Sequence, residues 1–137
     1  DIPEWTWAGA APFEVTEENK MKLQQAYKEI LDLFNNKDTA GIKKKTEISF
    51  TEKEKANGLE NGMWYNSLDI DRKLEESTGT ITPDWNDYEL EVLLGGRLVR
   101  LNNRGFSPIR LKNTENQGFW GYNPWFSIIN GEIVITR

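Results

Sequence analysis

The side chains that could do chemistry in this chain are its carboxylates, tyrosines, lysines and arginines, because the 137 residues include neither histidine nor cysteine. The lack of histidine excludes a Ser-His-Asp triad and imidazole metal ligands. The lack of cysteine excludes disulfides, thiolate zinc sites and thiol nucleophiles. The sequence therefore predicts no cofactor and no transition-metal site.

Two charged clusters are candidates for ligand binding. Four aspartates could offer oxygen ligands to a divalent cation: Asp69, Asp71, Asp84 and Asp87. They lack the glycine and the closing glutamate of a calcium loop, so helix capping and solvation explain them better. Residues 43–45 are three lysines that could contact phosphates, but they also suit the C-terminal end of a short helix. The 22 acidic and 17 basic residues give a formal charge of -5, which argues against nucleic-acid binding and favours a basic partner.

The most unusual feature of the sequence is an aromatic-rich stretch, FWGYNPWF, at residues 119–126. An alternating strand can bury only about half of these rings. Trp, Tyr and Arg are enriched where protein interfaces carry their binding energy, and two arginines fall in neighbouring strand and loop positions. We therefore predict a protein-recognition surface formed by five residues: Trp120, Tyr122, Trp125, Arg104 and Arg110.

A plain alternative to this surface is that the same rings pack on one another, and on the tryptophans of residues 1–15, as a second small core. An interface role requires Trp120 or Tyr122 to be at least partly exposed. It also predicts acidic residues such as Glu115 or Asp87 nearby.

The first half of the chain is predicted to be mainly helical. Residues 1–15 combine aromatics with proline and glycine, which is typical of an irregular arm that packs on the body. Thr16 can cap a helix whose apolar residues, from Leu23 to Phe34, follow at spacings of four, three and four. Thr39 can cap a short second helix, and residues 49–76 are predicted to form a broken helix that begins with a capping box. Residues 16–76 are thus the helical part, and a loop follows from Gly79.

The last third of the chain, residues 88–137, is predicted to be an antiparallel meander. The turn at Gly95-Gly96 sets the register of the first two strands. The expected pairs are Leu90 with Leu101, Glu91 with Arg100, and Val92 with Val99. Strands are also predicted at residues 107–112 and, interrupted near Pro124, at 119–129. The turn at Asn130-Gly131 is expected to pair Ile128 with Ile133 and Phe126 with Ile135. Helices followed by antiparallel strands in a chain of this length indicate one α+β domain, residues 1–137.

Two segments of this pattern suggest a family. The long helix with its Asn/Asp turn and short second helix, residues 26–42, resembles the opening of the nuclear-transport-factor-two-like superfamily. The closing pair of strands, residues 123–135, resembles the end of that fold. The resemblance implies N-terminal helices packed on a curved antiparallel sheet, a cone-shaped, cystatin-like roll with a pocket. Members include SnoaL-like and ketosteroid-isomerase-like enzymes, and also bacterial immunity proteins that neutralise toxins.

The resemblance implies two classes of function. In the isomerase-like branch an Asp base faces a Tyr oxyanion donor, an arrangement that is one of the general examples of carboxylate pKa tuning. No motif in this sequence places an Asp and a Tyr at matching positions, and Tyr27 lies on the buried apolar stripe of the first helix. We therefore expect a non-enzymatic binding protein, an immunity-like inhibitor of a bacterial toxin. The alternative is a small-molecule-binding protein or SnoaL-like enzyme with an Asp/Tyr pocket. We expect no tyrosine–carboxylate hydrogen bond inside an enclosed pocket.

The surroundings of the protein are constrained only broadly. No apolar run is long enough to span a membrane, so we expect no membrane insertion. The chain begins with Asp1 and not with Met, which suggests that an N-terminal piece was removed, either by cleavage of an export signal or by trimming. The sequence is compatible with the bacterial cytoplasm and with the periplasm, and it is also compatible with a homodimer.

Overall fold

The computed structural model describes residues 9–46, 50–60, 62–113 and 119–136. Trp5, Trp7 and Glu115, which enter the predictions above, lie outside these residues. Five helices come first along the chain: α1 (Glu17–Asn35), α2 (Thr39–Thr46), α3 (Glu52–Ala56), α4 (Met63–Ser67) and α5 (Ile70–Glu75). Seven strands follow: β1 (Ser77–Thr80), β2 (Glu89–Leu93), β3 (Leu98–Asn102), β4 (Ile109–Asn113), β5 (Phe119–Tyr122), β6 (Phe126–Ile129) and β7 (Glu132–Ile135). The protein is α+β, with its helices preceding antiparallel sheets.

The predicted helices are confirmed on their buried faces and at the caps Thr16 and Thr51, but the predicted cap Thr39 is wrong. Thr39 is the first residue of α2, and the cap is Asp38, whose carboxylate accepts the Gly41 backbone N–H at 2.9 Å. The Thr16 hydroxyl accepts a hydrogen bond from the Asn19 backbone N–H at 3.1 Å, so α1 begins where the sequence indicates. The apolar stripe of α1 is buried: Leu23, Tyr27, Ile30, Leu31 and Phe34. Thr51 and Glu54 form the expected capping box, and α3, α4 and α5 are the pieces of the predicted broken helix.

The strands form two antiparallel sheets, and not one meander. The first sheet has the order β1-β4-β5, and the second has the order β2-β3-β6-β7. The predicted fourth strand is divided at residues 123–125 into β5 and β6, which lie in different sheets. Strand β1 is a correction, because it begins just after the predicted broken helix, which ended at residue 76, and its last residues were predicted to be a loop. It pairs with β4, a partner about thirty residues away along the chain that no local pattern reveals.

Both predicted tight turns set the expected registers. Strands β2 and β3 pair Leu90 with Leu101, Glu91 with Arg100, and Val92 with Val99. Strands β6 and β7 pair Ile128 with Ile133 and Phe126 with Ile135. Helix α1 contacts β1 and β4 in one sheet and β3 and β7 in the other, so its buried face joins the two sheets into one core.

A buried polar network closes the gap where the two sheets separate. Strand β3 pairs with β6 only at Val99 and Phe126, so the next outward-facing backbone groups, those of Leu101, need other partners. The Leu101 N–H donates to the Tyr27 hydroxyl at 2.9 Å, and the Asn123 amide donates to the Leu101 carbonyl at 2.9 Å. The Tyr27 hydroxyl donates in turn to Asn123 Oδ1 at 2.7 Å. These side chains replace a strand at the break before β6.

Candidate functional site

The outward face of the β2–β3 hairpin carries polar side chains. Because side chains alternate along a strand, the observed register places Glu89 and Glu91 of β2 on the same face as Arg100 and Asn102 of β3. Val99 points to the opposite face and is only 1% exposed. On this face Glu89 is exposed, and Glu91, Arg100 and Asn102 are half-buried.

Arg100 is the centre of this face. Its Nε and Nη2 atoms donate to the two carboxylate oxygens of Glu91 at 3.0 and 3.1 Å. Its guanidinium carbon lies 4.0 Å from the centroid of the Trp125 ring. A two-point ion pair on one side and an aromatic face on the other hold a long side chain in one conformation. The predicted pairing of Glu91 with Arg100 is confirmed, and it fixes Arg100 beside Trp125.

An open pocket of about 500 Å³ lies next to this face. Its lining residues come from the start of β2 and from the turn after β3: Asp87, Glu89, Asn102, Asn103, Arg104 and Phe106. Backbone hydrogen bonds of 3.1 and 2.8 Å join Asn103 and Phe106 across the turn. Both central residues of the turn have positive φ, 50° at Arg104 and 90° at Gly105, as in a type I′ turn. The turn presents the Phe106 ring, which is 46% exposed.

Arg110 extends the same surface from β4. Its guanidinium carbon lies 5.6 Å from the centroid of the Phe106 ring. Burial raises the pKa of Tyr88, and the neighbouring Arg110 guanidinium offsets part of that rise. We call this surface the outer-face patch, and its members are Glu91, Arg100, Arg104, Phe106, Arg110 and Trp125.

The five residues predicted for a recognition surface separate into two groups. Arg104 and Arg110 meet at Phe106, and Trp125 stacks on Arg100. Trp120 and Tyr122 stack on each other, with centroids 6.0 Å apart, and both are half-buried. Three members of the patch were not predicted as binding residues: Glu91 and Arg100, which were predicted only to pair with each other, and Phe106, which was missed. The Asn-Arg-Gly turn before Phe106 was the signal that could have identified it.

Trp120 and Tyr122 face the core side of their sheet. Trp120 pairs with Leu111, which is 2% exposed, and its ring lies 6.2 Å from that of Phe34 in α1. Arg110, one residue before Leu111, points to the other side of the sheet. The partial exposure expected of these two rings is present, but Trp120 packs against α1 and Tyr122 stacks on Trp120.

A tyrosine–carboxylate pair does occur, but at the surface. The Tyr65 hydroxyl donates to Asp71 Oδ1 at 2.5 Å. Burial and the adjacent carboxylate both raise the pKa of Tyr65. The Tyr65 side chain is only 1% exposed, whereas Asp71 is open to solvent, so the pair is not part of an enclosed cavity.

The acidic residues considered as metal ligands have local structural roles. Asp69 pairs with Arg72 at 2.5 Å, and Asp84 accepts a hydrogen bond from the Asn86 backbone N–H at 3.1 Å. Within the described ranges, no group of three or more carboxylates is placed to hold a metal ion.

A second concavity is a groove of about 560 Å³ between the first two helices and the β6–β7 hairpin. Its walls are mostly apolar and include Ile30, Leu33, Ile133 and Val134. Lys44 and Lys45 of α2 also line it, and Lys45 pairs with Glu29 at 3.1 Å. Apolar walls with a few charged groups are typical of small-molecule sites.

Among the described residues, no helix is both long and apolar enough to cross a bilayer. No family model, curated protein or solved structure matches this chain. The function therefore has to be inferred from the outer-face patch and the groove.

Proposed function

We propose that the protein is a non-enzymatic binding protein that holds a partner protein on the outer-face patch. The observation that carries this proposal is Arg100, fixed between Glu91 and Trp125 beside a pocket that exposes Phe106. Arg and aromatic side chains dominate the binding energy of protein interfaces. A side chain already held in one conformation loses little further freedom when a partner binds.

The partner we propose is a bacterial toxin with a basic surface. The formal charge of -5 favours such a partner through long-range attraction. Two features support an immunity-like member of the nuclear-transport-factor-two-like superfamily: the long and short opening helices, and the closing strand pair β6–β7. Such a protein would act in the bacterial cytoplasm or periplasm, by covering the active site or substrate groove of the toxin.

The proposal is tested with the product of the gene adjacent to the one that encodes this chain. The two proteins are co-expressed, growth is recorded, and the affinity of the purified pair is measured by calorimetry. Phe106→Ala is expected to weaken binding about 30-fold, the equivalent of roughly 2 kcal/mol, and to lower the melting temperature less than Trp120→Ala does, because Phe106 is 46% exposed.

Two control variants make this test specific. Met21→Ala removes an apolar side chain that is 67% exposed on α1, away from the patch, and is expected to bind like the wild type. Trp120→Ala is expected to lower the melting temperature, because its ring packs against Phe34. Equal binding by the wild type and Phe106→Ala, or failure to restore growth, would contradict the proposal.

Small-molecule binding in the groove is the second candidate function. The groove lies within the size range of ligand pockets, and its lining residues include neither Tyr nor Asp, which favours binding over an Asp/Tyr reaction. The test is a thermal shift with sodium decanoate, whose apolar chain and carboxylate match the apolar wall and the lysines. Decanoate is expected to stabilise the wild type and the Met21→Ala variant, but not Val134→Trp, in which an indole fills the groove.

A further inference from the structure

Among the strands of the described residues, β2 has an open edge, and the polar network at Leu101 shows which backbone groups lie along it. The Leu101 N–H and C=O point away from β2, toward Tyr27 and Asn123. In an antiparallel ladder, Leu90, which lies opposite Leu101, must then direct its own N–H and C=O away from β3. Val92, two residues further on, does the same. In the described part of the chain, no hydrogen bond reaches these groups, because β2 is the first strand of its sheet.

The end of this edge is apolar and exposed. Three consecutive residues at the hairpin tip are exposed: Val92 by 39%, Leu93 by 46% and Leu94 by 49%. Leu94 also has φ of 53°, in the left-handed region where glycine and asparagine are favoured. Neither packing against the described residues nor the geometry of the turn accounts for a leucine at this position. Proteins usually protect an open edge with charged side chains, especially lysine, or with proline or a bulge; β2 has two glutamates in its first half and none of these devices at its apolar end.

The beginning of the same edge is acidic. Residues 84–94 include four carboxylates and no lysine or arginine. Arg100 neutralises one of them, Glu91, which leaves Asp84, Asp87 and Glu89 exposed to solvent. The edge of β2 is thus acidic at its first residues and apolar at its last.

We propose that the open edge of β2 binds an extended segment of the partner by strand addition. That segment carries Lys or Arg beside Glu89 and apolar side chains beside Leu93 and Leu94. The N–H and C=O groups of Leu90 and Val92 can form four hydrogen bonds with it. Strand addition of this kind takes affinity from backbone hydrogen bonds and specificity from the side chains.

A second copy of the chain is a poorer occupant of this edge. Two β2 strands paired about Glu91 would place that carboxylate opposite its own copy and bring the other acidic residues of both chains close together. A basic segment would instead bring opposite charges next to these carboxylates. The inference rests on the proposed protein-binding function and adds the way in which the partner is held.

The test uses random octapeptides displayed on phage and selected on the purified full chain. Enriched peptides are expected to carry basic residues toward one end and apolar residues toward the other. Binding of a synthetic enriched peptide is expected to slow hydrogen exchange of the Leu90 and Val92 amides at least tenfold, measured by NMR. The Glu91 amide, which already bonds to β3, is expected to change little.

Two variants separate the backbone from the side chains. Val92→Pro removes one outward N–H without removing a bond to β3, so peptide affinity is expected to fall at least tenfold, whereas Val92→Thr keeps that N–H and is its control. Leu93→Lys leaves the backbone donors in place but puts a charge in the apolar end, and a similar loss is expected. If the Val92→Pro variant fails to fold, the peptide affinity of the Leu93→Lys variant provides the test.

Three outcomes would overturn the inference. They are the absence of enriched peptides, peptide binding with the Leu90 and Val92 amides still exchanging fast, and a dimer in sedimentation that Val92→Pro abolishes. The adjacent gene product separates this inference from the proposed function. If it binds in a way that depends on Phe106 but leaves those amides unprotected, only the edge inference fails. If it does not bind while the peptides do protect the edge, only the toxin proposal fails.

Discussion

Replacing Tyr27 by phenylalanine removes one oxygen atom from the centre of the core. That oxygen accepts the Leu101 N–H at 2.9 Å and donates to Asn123 Oδ1 at 2.7 Å. The Tyr27 ring is fully buried, and it also contacts the Phe126 ring edge-on, with centroids 4.9 Å apart. Phenylalanine keeps the ring contacts, so the substitution reports on the hydroxyl alone.

The expected loss of stability follows from the groups left without partners. An unsatisfied buried N–H costs about 1–3 kcal/mol, and Leu101 is only 3% exposed. The lost bond to the half-buried Asn123 adds about 1 kcal/mol. We therefore expect Tyr27→Phe to lower the free energy of unfolding by about 3 kcal/mol. For a chain of this length that corresponds to a melting temperature roughly 12 °C lower.

The assay is urea denaturation followed by tryptophan fluorescence and circular dichroism, with Tyr65→Phe as the matched control. Tyr65 is equally buried, but its hydroxyl bonds to an exposed carboxylate that water can solvate after the change. The control is expected to lose about 1 kcal/mol or less. Equal losses in the two variants would refute the reasoning, because the network at Leu101 would then carry no special cost.

Further predictions concern pH and backbone geometry. Burial raises the pKa of Tyr27, so the unfolded chain loses this proton first, and stability is expected to fall as the pH rises above about 10. The contribution of Tyr27 is roughly 1.4 kcal/mol per pH unit, and urea denaturation between pH 8 and 11 should show a shallower fall for Tyr27→Phe. Gly131→Ala is expected to cost about 1–2 kcal/mol, because φ is 80° there and nothing lies near the added methyl. Gly96→Ala should cost at least about 1 kcal/mol more in the same assay, since a Cβ would lie 2.7 Å from the Phe13 backbone nitrogen. A smaller loss for Gly96→Ala than for Gly131→Ala would contradict the close packing of the arm.

The parts of the fold that the sequence predicts are those determined by short-range rules. The stripe of α1 follows from helical periodicity, and the cap at Thr16 follows from the chemistry of a hydroxyl at a helix start. The two correct strand registers both follow a turn marked by glycine. A tight turn leaves few ways to align the strands it joins, so local residues suffice.

The strand order depends on interactions that local rules do not contain. Strand β3 could have continued beside β4, but its neighbour is β6. This strand order depends in part on Tyr27, whose hydroxyl accepts the Leu101 N–H from a position 74 residues away in the chain. A side chain that substitutes for a strand has no signature in a periodicity pattern. Strand β1 was missed for a similar reason, because only its pairing with β4 makes it a strand.

The candidate site shows how far alternation alone could have separated the rings. Trp120, Tyr122 and Phe126 all face the core, and Trp125 stacks on the outward-facing Arg100, which is the pattern that alternation through residues 119–126 would give. The sequence shows which of these rings share a face, but it does not show which of the two faces is buried. Residues 114–118 separate β4 from β5 without a tight-turn motif that would set the register. The observed register resolves this by placing Leu111 opposite Trp120 and Arg110 opposite Gly121. Arg110 is thereby left on the outward face of its sheet, and Phe106 lies beside Arg110 because a type I′ turn reverses the chain just before it.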